Sequence, residues 1–465
     1  MTTALLLLAA EPAAEGGGSN NFLLPNATLF VEFLIFVIVF LVFKAWIVPP
    51  LAKAMREREE MVRKQIEDRE ESARKLRQAE ERFEQALAEA RGQAGKIRDE
   101  ARLEAQKVRD DLRRDADALR ALGVVGVQAR VTTAAGQDAV ATAGVAVAGT
   151  NRPVPRDGYF RMASTGKALM ATLILQLVDE GKLSLDDTVA RRLPGVIDGN
   201  GNDGRNITVR QLLQNTSGLH DDLPGFDTPQ QYYQHRYDVY TPEQIVARAM
   251  KHRPDFRPGN GWSYSNTGYV VLGMLVEKAT GRPWQEEVAS RILKPLGMNH
   301  TYLPGATASI RRPHADGYQV FASGERTDVT EQIVPDLGGY VSTTADVNRF
   351  FQGLLGGELL PAARMAEMRD TVPVAKQFET FWPGGRYGLG LVSRPLTCGG
   401  RYWSHEGGEA GYITLNGATD DGSRTVTVSM STSFNDLNKT LRQHKTASDL
   451  VDRALCNTSR ARGRK

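Results

Sequence analysis

The sequence predicts a chain of two unlike parts. One membrane helix continues into a long solvated helix, and a globular domain mixing helices and strands follows. Three observations carry this. An apolar run occupies residues 28–48. The stretch from Leu51 to Asp115 holds 18 Lys/Arg and 17 Asp/Glu, more than half its residues, and from about Leu119 the composition turns mixed, with frequent Gly and Pro. The averages over 465 residues, 41% hydrophobic and 24% charged with net charge +3, conceal that gradient. Two or three domains are expected at this length. They divide as a tail over 1–27, a membrane helix over 28–48, a stalk helix over 49–114, a globular domain over 115–458 and a basic tail over 459–465.

In the first tail the run Ala4-Leu5-Leu6-Leu7-Leu8 is short and no Lys or Arg precedes it, so it reads as a mature N-terminus rather than a secretory signal. The apolar run spans about 21 residues, or about 31 Å of helix, which matches a bilayer core. Lys44 and Trp46 suit the interface, where a snorkelling cation and an aromatic ring are both comfortable. Glu32 is costly in lipid and is expected to face a partner or the headgroups. Lys53, Arg56 and Arg58 follow the run and no positive charge precedes it, so the positive-inside rule puts everything after Pro50 in the cytoplasm.

Pro49-Pro50 predicts a kink, after which a helix runs to about Ala118. Its charge density excludes a globular core, and its near-zero balance argues against a nucleic-acid partner. Ala86, Ala90, Ala94, Ile97, Ala101, Ala105, Val108 and Leu112 form a seam with an 11-residue repeat. That period favours a right-handed supercoil with a second helix. Residues from about 1 to 112 resemble subunit b of the F-type ATP synthase. The carriers are Asn26-Ala27 before the span, the Val48-Pro49-Pro50 exit and the Ala/Glu/Arg/Gln helix behind it. The resemblance implies a paired coiled-coil stalk, with ATP synthase F0 and F1 subunits and the membrane as partners. The distal part that meets the catalytic head in that family has no counterpart here. No GxxxxGK[ST] sequence occurs, so no P-loop nucleotide site is expected.

In the second part, Ser164 and Lys167 stand three apart at the head of an apolar helix, which puts them on one face of its first turn. A serine hydroxyl needs a neighbouring base near neutral pH, and a partly desolvated lysine can be that base. The helix N-terminus aims backbone N–H groups at developing negative charge. Tyr264-Ser265-Asn266 opens another apolar helix. Tyr264 can shuttle a proton with the lysine, and Asn266 can offer its amide to substrate and lysine. His405-Glu406-Gly407 precedes Gly408 and residues that alternate as strands do through Thr425-Val426-Thr427-Val428. Gly407 lets a substrate lie against the strand edge, and the N–H of Gly408 is expected to join that of Ser164 as an oxyanion hole. Each motif alone also fits helix capping or an ordinary strand; all three in this order point to serine acyl transfer.

Residues from about 115 to 458 then resemble the serine beta-lactamase and D-alanyl-D-alanine carboxypeptidase family, within it the class C enzymes and secreted carboxypeptidases with an HxG third motif. Further carriers are Leu175 to Leu183, Thr208 to Leu213 with Ser217-Gly218-Leu219, and Tyr387-Gly388-Leu389-Gly390-Leu391. The resemblance implies an α/β fold, an antiparallel sheet with flanking helices plus a helical subdomain. It implies Ser164 as acylated nucleophile, Lys167, Tyr264 and His405 as its catalytic companions, and Asn266, Gly407 and Gly408 as substrate-binding. It also implies a disulfide between Cys398 and Cys456, the only cysteines. Members that grip a peptide carboxylate carry an arginine before the third motif and a threonine after it. Here Arg394 and Gly408 stand there, so D-Ala-D-Ala peptides, beta-lactams and ordinary esters all remain as substrates. No GxSxG elbow surrounds Ser164, and no HExxH or ligand cluster points to a metal or other cofactor. A stalk-anchored hydrolase, a stalk subunit with a catalytically unused second domain, and two genes artificially joined are the three accounts that the whole chain allows.

Overall fold

The computed structural model describes residues 27–133, 136–334 and 336–456, so the tails 1–26 and 457–465, with Asn26 among them, lie outside the described residues. The chain forms two compact units, Met1–Arg98 and Asp99–Lys465.

The first unit is helical. Helix α1 (Ala27–Val42) passes through one π-helical turn (Phe43–Ile47) into α2 (Val48–Ala121). It holds a helix long and apolar enough to cross a membrane, with mean hydropathy 2.6 in its richest window. At Pro49-Pro50, where a kink is expected, the helix continues, with that π turn immediately before them. The two prolines lack N–H groups and would collide with carbonyls one turn back. The turn just before them opens instead, with the N–H of Val48 bonding to the carbonyl of Phe43. Beyond it α2 is solvated, with i,i+4 ion pairs such as Lys53–Glu57 and Glu71–Lys75. Ala86, Ala90, Ala94 and Ile97 of the seam are exposed, and the side chain of Ala101 lies outside the described residues.

The second unit begins within α2. Val108, Leu112, Ala116 and Leu119 are buried at helical spacing, and Asp115 pairs with Arg453 at 2.9 Å. Their partner is one face of a nine-stranded antiparallel sheet. Its strands are β1 (Gly126–Thr133), β2 (Asp138–Gly144), β3 (Val372–Pro373), β4 (Arg386–Tyr387), β5 (Val392–Pro395), β6 (Arg401–Ser404), β7 (Gly407–Glu409), β8 (Tyr412–Ala418) and β9 (Arg424–Met430). The order is β2-β1-β9-β8-β6-β5-β4-β3, with β7 paired to β8 alone. The N-terminal hairpin thus completes a sheet built mostly from the chain's end, Val127 lying opposite Met430.

Both sheet faces are covered, and β9 shows why its residues alternate. Val426, Val428 and Met430 enter the core shared with α2 and with the last helix (Leu437–Cys456). Thr427 on the other face bonds Asn348 of the helix Thr344–Leu355 at 2.7 Å. A disulfide joins Cys398, in the turn after β5, to Cys456 at the end of the last helix. A helical subdomain packs alongside on a larger core. Its centre is α3 (Gly166–Asp179) and α4 (Asn266–Thr280), every apolar residue of α3 up to Leu177 being buried.

Candidate active site

Ser164 sits where a short strand (Phe160–Arg161) turns into α3 through one 3-10 turn (Ala163–Thr165). The turn is tight enough to hold Ala163 at φ 49°, the left-handed region that non-glycine residues rarely occupy. Lys167 follows one turn on. It is 2% exposed, its Nζ donates to the Ser164 hydroxyl at 3.0 Å, and the rings of Tyr264 and Tyr269 stand 5.3 and 5.6 Å from it. A hydroxyl and an amine are thus in direct contact at the N-terminus of a buried helix and walled by aromatic faces, a geometry that suits acyl-transfer chemistry.

The second motif arrives on α4. Ser265 caps that helix by accepting the N–H of Gly268. Tyr264 stands just before it with its hydroxyl buried and without a hydrogen-bond partner. Orphaned buried hydroxyls are uncommon, and Tyr264 lines the same cavity as Ser164 and Lys167. Asn266 is held by a residue that sequence reasoning missed. Asp221 accepts both its side-chain and its backbone N–H at 2.8 Å. The amide therefore presents its oxygen and one remaining N–H to the site.

The third motif leads into β7: His405 and Glu406 link β6 to it and Gly407 opens it, and among the described residues its outer edge has no strand partner. A Cβ on Gly407 would stand 2.1 Å from the carbonyl oxygen of Met162, so only glycine lets this strand lie against the Ser164 turn. Thr165 donates its hydroxyl to the His405 carbonyl at 2.9 Å, and Asn416 brackets the same residue, accepting its N–H at 3.0 Å and donating to its carbonyl at 2.7 Å. Gly408 lines both cavities that open on Ser164. His405, expected among the catalytic groups, lines neither. Its ring is buried, with Nε2 on the Tyr387 hydroxyl at 3.0 Å and Nδ1 on the Glu406 carbonyl at 2.9 Å. Burial, reinforced by the nearby Lys167, pushes its pKa down to about 3 and keeps the ring neutral. Its ring is thus held between the Tyr387 hydroxyl and the Glu406 carbonyl, behind the wall of both cavities.

Glu406 points to the apolar side of the site, where Trp382 donates to it at 2.8 Å, Arg394 at 2.9 Å, and His444 Nε2 meets it at 2.5 Å. Burial alone would raise this carboxyl, but His444 and Arg394 hold it at about 2. Arg394 is thereby tied to Glu406 and to Ser448, and it lines neither cavity. Of the two cavities, the polar one measures about 620 Å³ and includes Asn266, Arg248 and Glu409. The apolar one, about 320 Å³, is walled by Phe378, Phe381, Trp382 and Ile413. Among the described residues no group of three or more His, Cys, Asp or Glu is arranged to hold a metal ion.

Residues 102–449 match the family profile described as Beta-lactamase, and residues 28–123 that of ATP synthase B/B' CF(0). The chain is similar to penicillin-binding protein 4* of Bacillus subtilis (strain 168), 31% identical over 57% of this chain and 58% of that one. It is also similar to penicillin-binding protein 4 of Amycolatopsis lactamdurans, 31% identical over 49% and 61%. It thus spans about three fifths of these relatives. Among solved structures it resembles a D-stereospecific amidohydrolase from Streptomyces sp., with TM-score 0.65 and 36% identity over 72% of this chain and 98% of that one. A D-amino acid amidase from Ochrobactrum anthropi SV3 is similar at TM-score 0.65 and 26% identity, over 76% and 99%.

Proposed function

Since the chain belongs to the beta-lactamase family across residues 102–449, we propose that its second unit is a serine hydrolase working through a Ser164 acyl-enzyme. The observation that carries this is the 3.0 Å contact between Lys167 Nζ and Ser164 Oγ beside the unpartnered Tyr264 hydroxyl. Lys167, as the free amine, takes the proton of Ser164 while Oγ attacks the substrate carbonyl carbon. The N–H groups of Ser164 and Gly408 receive the oxyanion. Tyr264 relays the proton to the leaving nitrogen or oxygen, and water then cleaves the acyl-enzyme by the same route. D-Ala-D-Ala peptides, beta-lactams and related esters or amides are the substrate class, supported by the penicillin-binding relatives and the D-stereospecific neighbours. The test is labelling of the full-length chain with a fluorescent penicillin. The expected adduct maps to the peptide containing Ser164 and vanishes in Ser164→Ala. A folded wild-type chain that acquires no label overturns the reading.

Residues 28–123 carry an ATP synthase b-like segment. We read its apolar helix as a membrane anchor and its exposed Ala/Ile seam as the face for a second stalk helix. Recovery of ATP synthase subunits with the chain from solubilised membranes tests this, and recovery of the chain alone counts against it. The charge bias after the anchor supports a cytoplasmic hydrolase. The Cys398–Cys456 disulfide favours the opposite side, because such bonds persist in oxidising compartments. Protease accessibility of the second unit in intact cells decides between them.

A further inference from the structure

The loop between the helices Val209–Gln214 and Pro229–His235 has no regular structure, yet three consecutive side chains in it are each committed to a different partner. His220 Nδ1 lies 2.8 Å from Asp255, and its ring centroid stands 4.3 Å from that of His252. Asp222 accepts from Arg248 at 2.7 Å. Between them Asp221 accepts from Nδ2 and from the backbone N–H of Asn266, both at 2.8 Å, and from the N–H of Thr267 at 3.4 Å. Just ahead, the Gly218 carbonyl accepts the Asp255 N–H at 2.8 Å. The carboxylate at 221 is thus flanked by anchored neighbours. The residues that follow, Leu223 to Phe226, wall the polar cavity that Ser164, Lys167 and Asn266 also line.

Part of this geometry is helix capping. The first N–H groups of α4 have no partner within the helix. Ser265 takes that of Gly268, and Asp221 takes those of Asn266 and Thr267. Capping does not need the bond from Nδ2. An asparagine amide has an oxygen and an NH2 of nearly the same shape, and left free it turns either end to a substrate. A carboxylate only accepts, so Asp221 admits only the NH2 end. Asn266 therefore keeps its oxygen and one N–H for the cavity in one fixed orientation. Asp221 itself lines neither cavity at Ser164, so its route to the chemistry runs through Asn266.

We infer that Asp221 is a positioning residue for acyl transfer, locking the Asn266 amide in the orientation that the substrate meets, with His220 and Asp222 holding it in place. A polar group oriented beforehand need not reorganise as the acyl-enzyme forms. This rests on Ser164 being the nucleophile.

The diagnostic variant is Asp221→Asn. Its carbonyl oxygen can still cap a backbone N–H, but its NH2 cannot accept from Asn266. In the full-length chain the second-order rate constant for labelling with fluorescent penicillin is expected to fall roughly 10- to 100-fold, the range of a hydrogen bond to a charged group, while the melting temperature moves little. In an Asn266→Ala background the same substitution is expected to cost nothing further, because the two residues act as one unit. An undiminished rate in Asp221→Asn, or a loss that multiplies with that of Asn266→Ala, overturns the inference. So does a loss that only follows the melting temperature, which would make Asp221 a helix cap alone. If Asp221→Asn does not fold, Asp255→Ala, which releases His220, is expected to give a smaller loss that also vanishes beside Asn266→Ala; no loss there overturns the inference. Calorimetric titration of the Ser164→Ala chain with benzylpenicillin separates this from the proposed nucleophile. Weaker binding on adding Asp221→Asn supports the positioning role even if the wild type forms no adduct, and equal binding or none overturns it.

Discussion

One methyl group on Gly407 would collide with the Met162 carbonyl, 2.1 Å from the Cβ position, and with the Ala163 side chain. The strand would have to move away from the serine. Gly407→Ala is therefore expected to lose penicillin labelling and to cost about 1–3 kcal/mol of stability, as overpacking does; thermal unfolding in detergent reads the second effect. His405 makes a pH prediction. Its folded pKa of about 3 lies below the ordinary 6.5. As pH falls from 6.5 toward 3, the unfolded chain takes up a proton there that the folded chain refuses. Stability therefore declines through that window and is flat above it, with a slope of at most about 1.4 kcal/mol per pH unit from this group. Glu406 continues the decline from 4.5 to about 2, because its native carboxylate must then be protonated. His405→Gln should flatten the upper part of the acid limb, measured as melting temperature against pH. The local members of the site were readable because a three-residue spacing forces Ser164 and Lys167 onto one turn. Asp221 and Asn416 were not, and Tyr387 was read as a carrier of the resemblance but not as the partner of His405, since each is joined to its motif only by folding, Asp221 lying 45 residues before Asn266. The depth of His405 was equally hidden, for a motif names a position and not the layer it occupies.

The strands announced themselves by alternation, as in β9, whose valines and threonines part to opposite faces. The end of α2 did not. Val108 and Leu112 continue the alanine seam at the expected spacing, yet they are buried on the sheet within the second unit. Periodicity tells which residues share a face but not what covers it. The last helix gives the element-scale prediction. Its final residue, Cys456, is tied to Cys398 across 58 residues, a loop whose closure contributes about 4 kcal/mol in the chain-entropy model. Cys398→Ser should lower the melting temperature of the hydrolase unit and loosen the face that Ala447, Leu450 and Val451 share with α2. An unchanged melting temperature with and without reductant would contradict this.

For the whole chain, the two matched families overlap between residues 102 and 123, and that overlap holds four core residues, Val108, Leu112, Ala116 and Leu119. A hydrolase unit begun at Asp99 is expected to fold and to take up labelled penicillin. One begun at Val124 exposes the sheet face those four cover and should aggregate; soluble yield and labelling of the two truncations check it. Membrane-proximal architecture holds a different lesson. The π turn at Phe43–Ile47 inserts one residue into an otherwise α-helical rod, a phase slip of about 100° around the axis. A neighbour that follows one stripe of α1 must change partners by one position to stay in step with α2. Cysteine cross-linking along the rod would record the slip as a break in an otherwise regular ladder, located within those five residues.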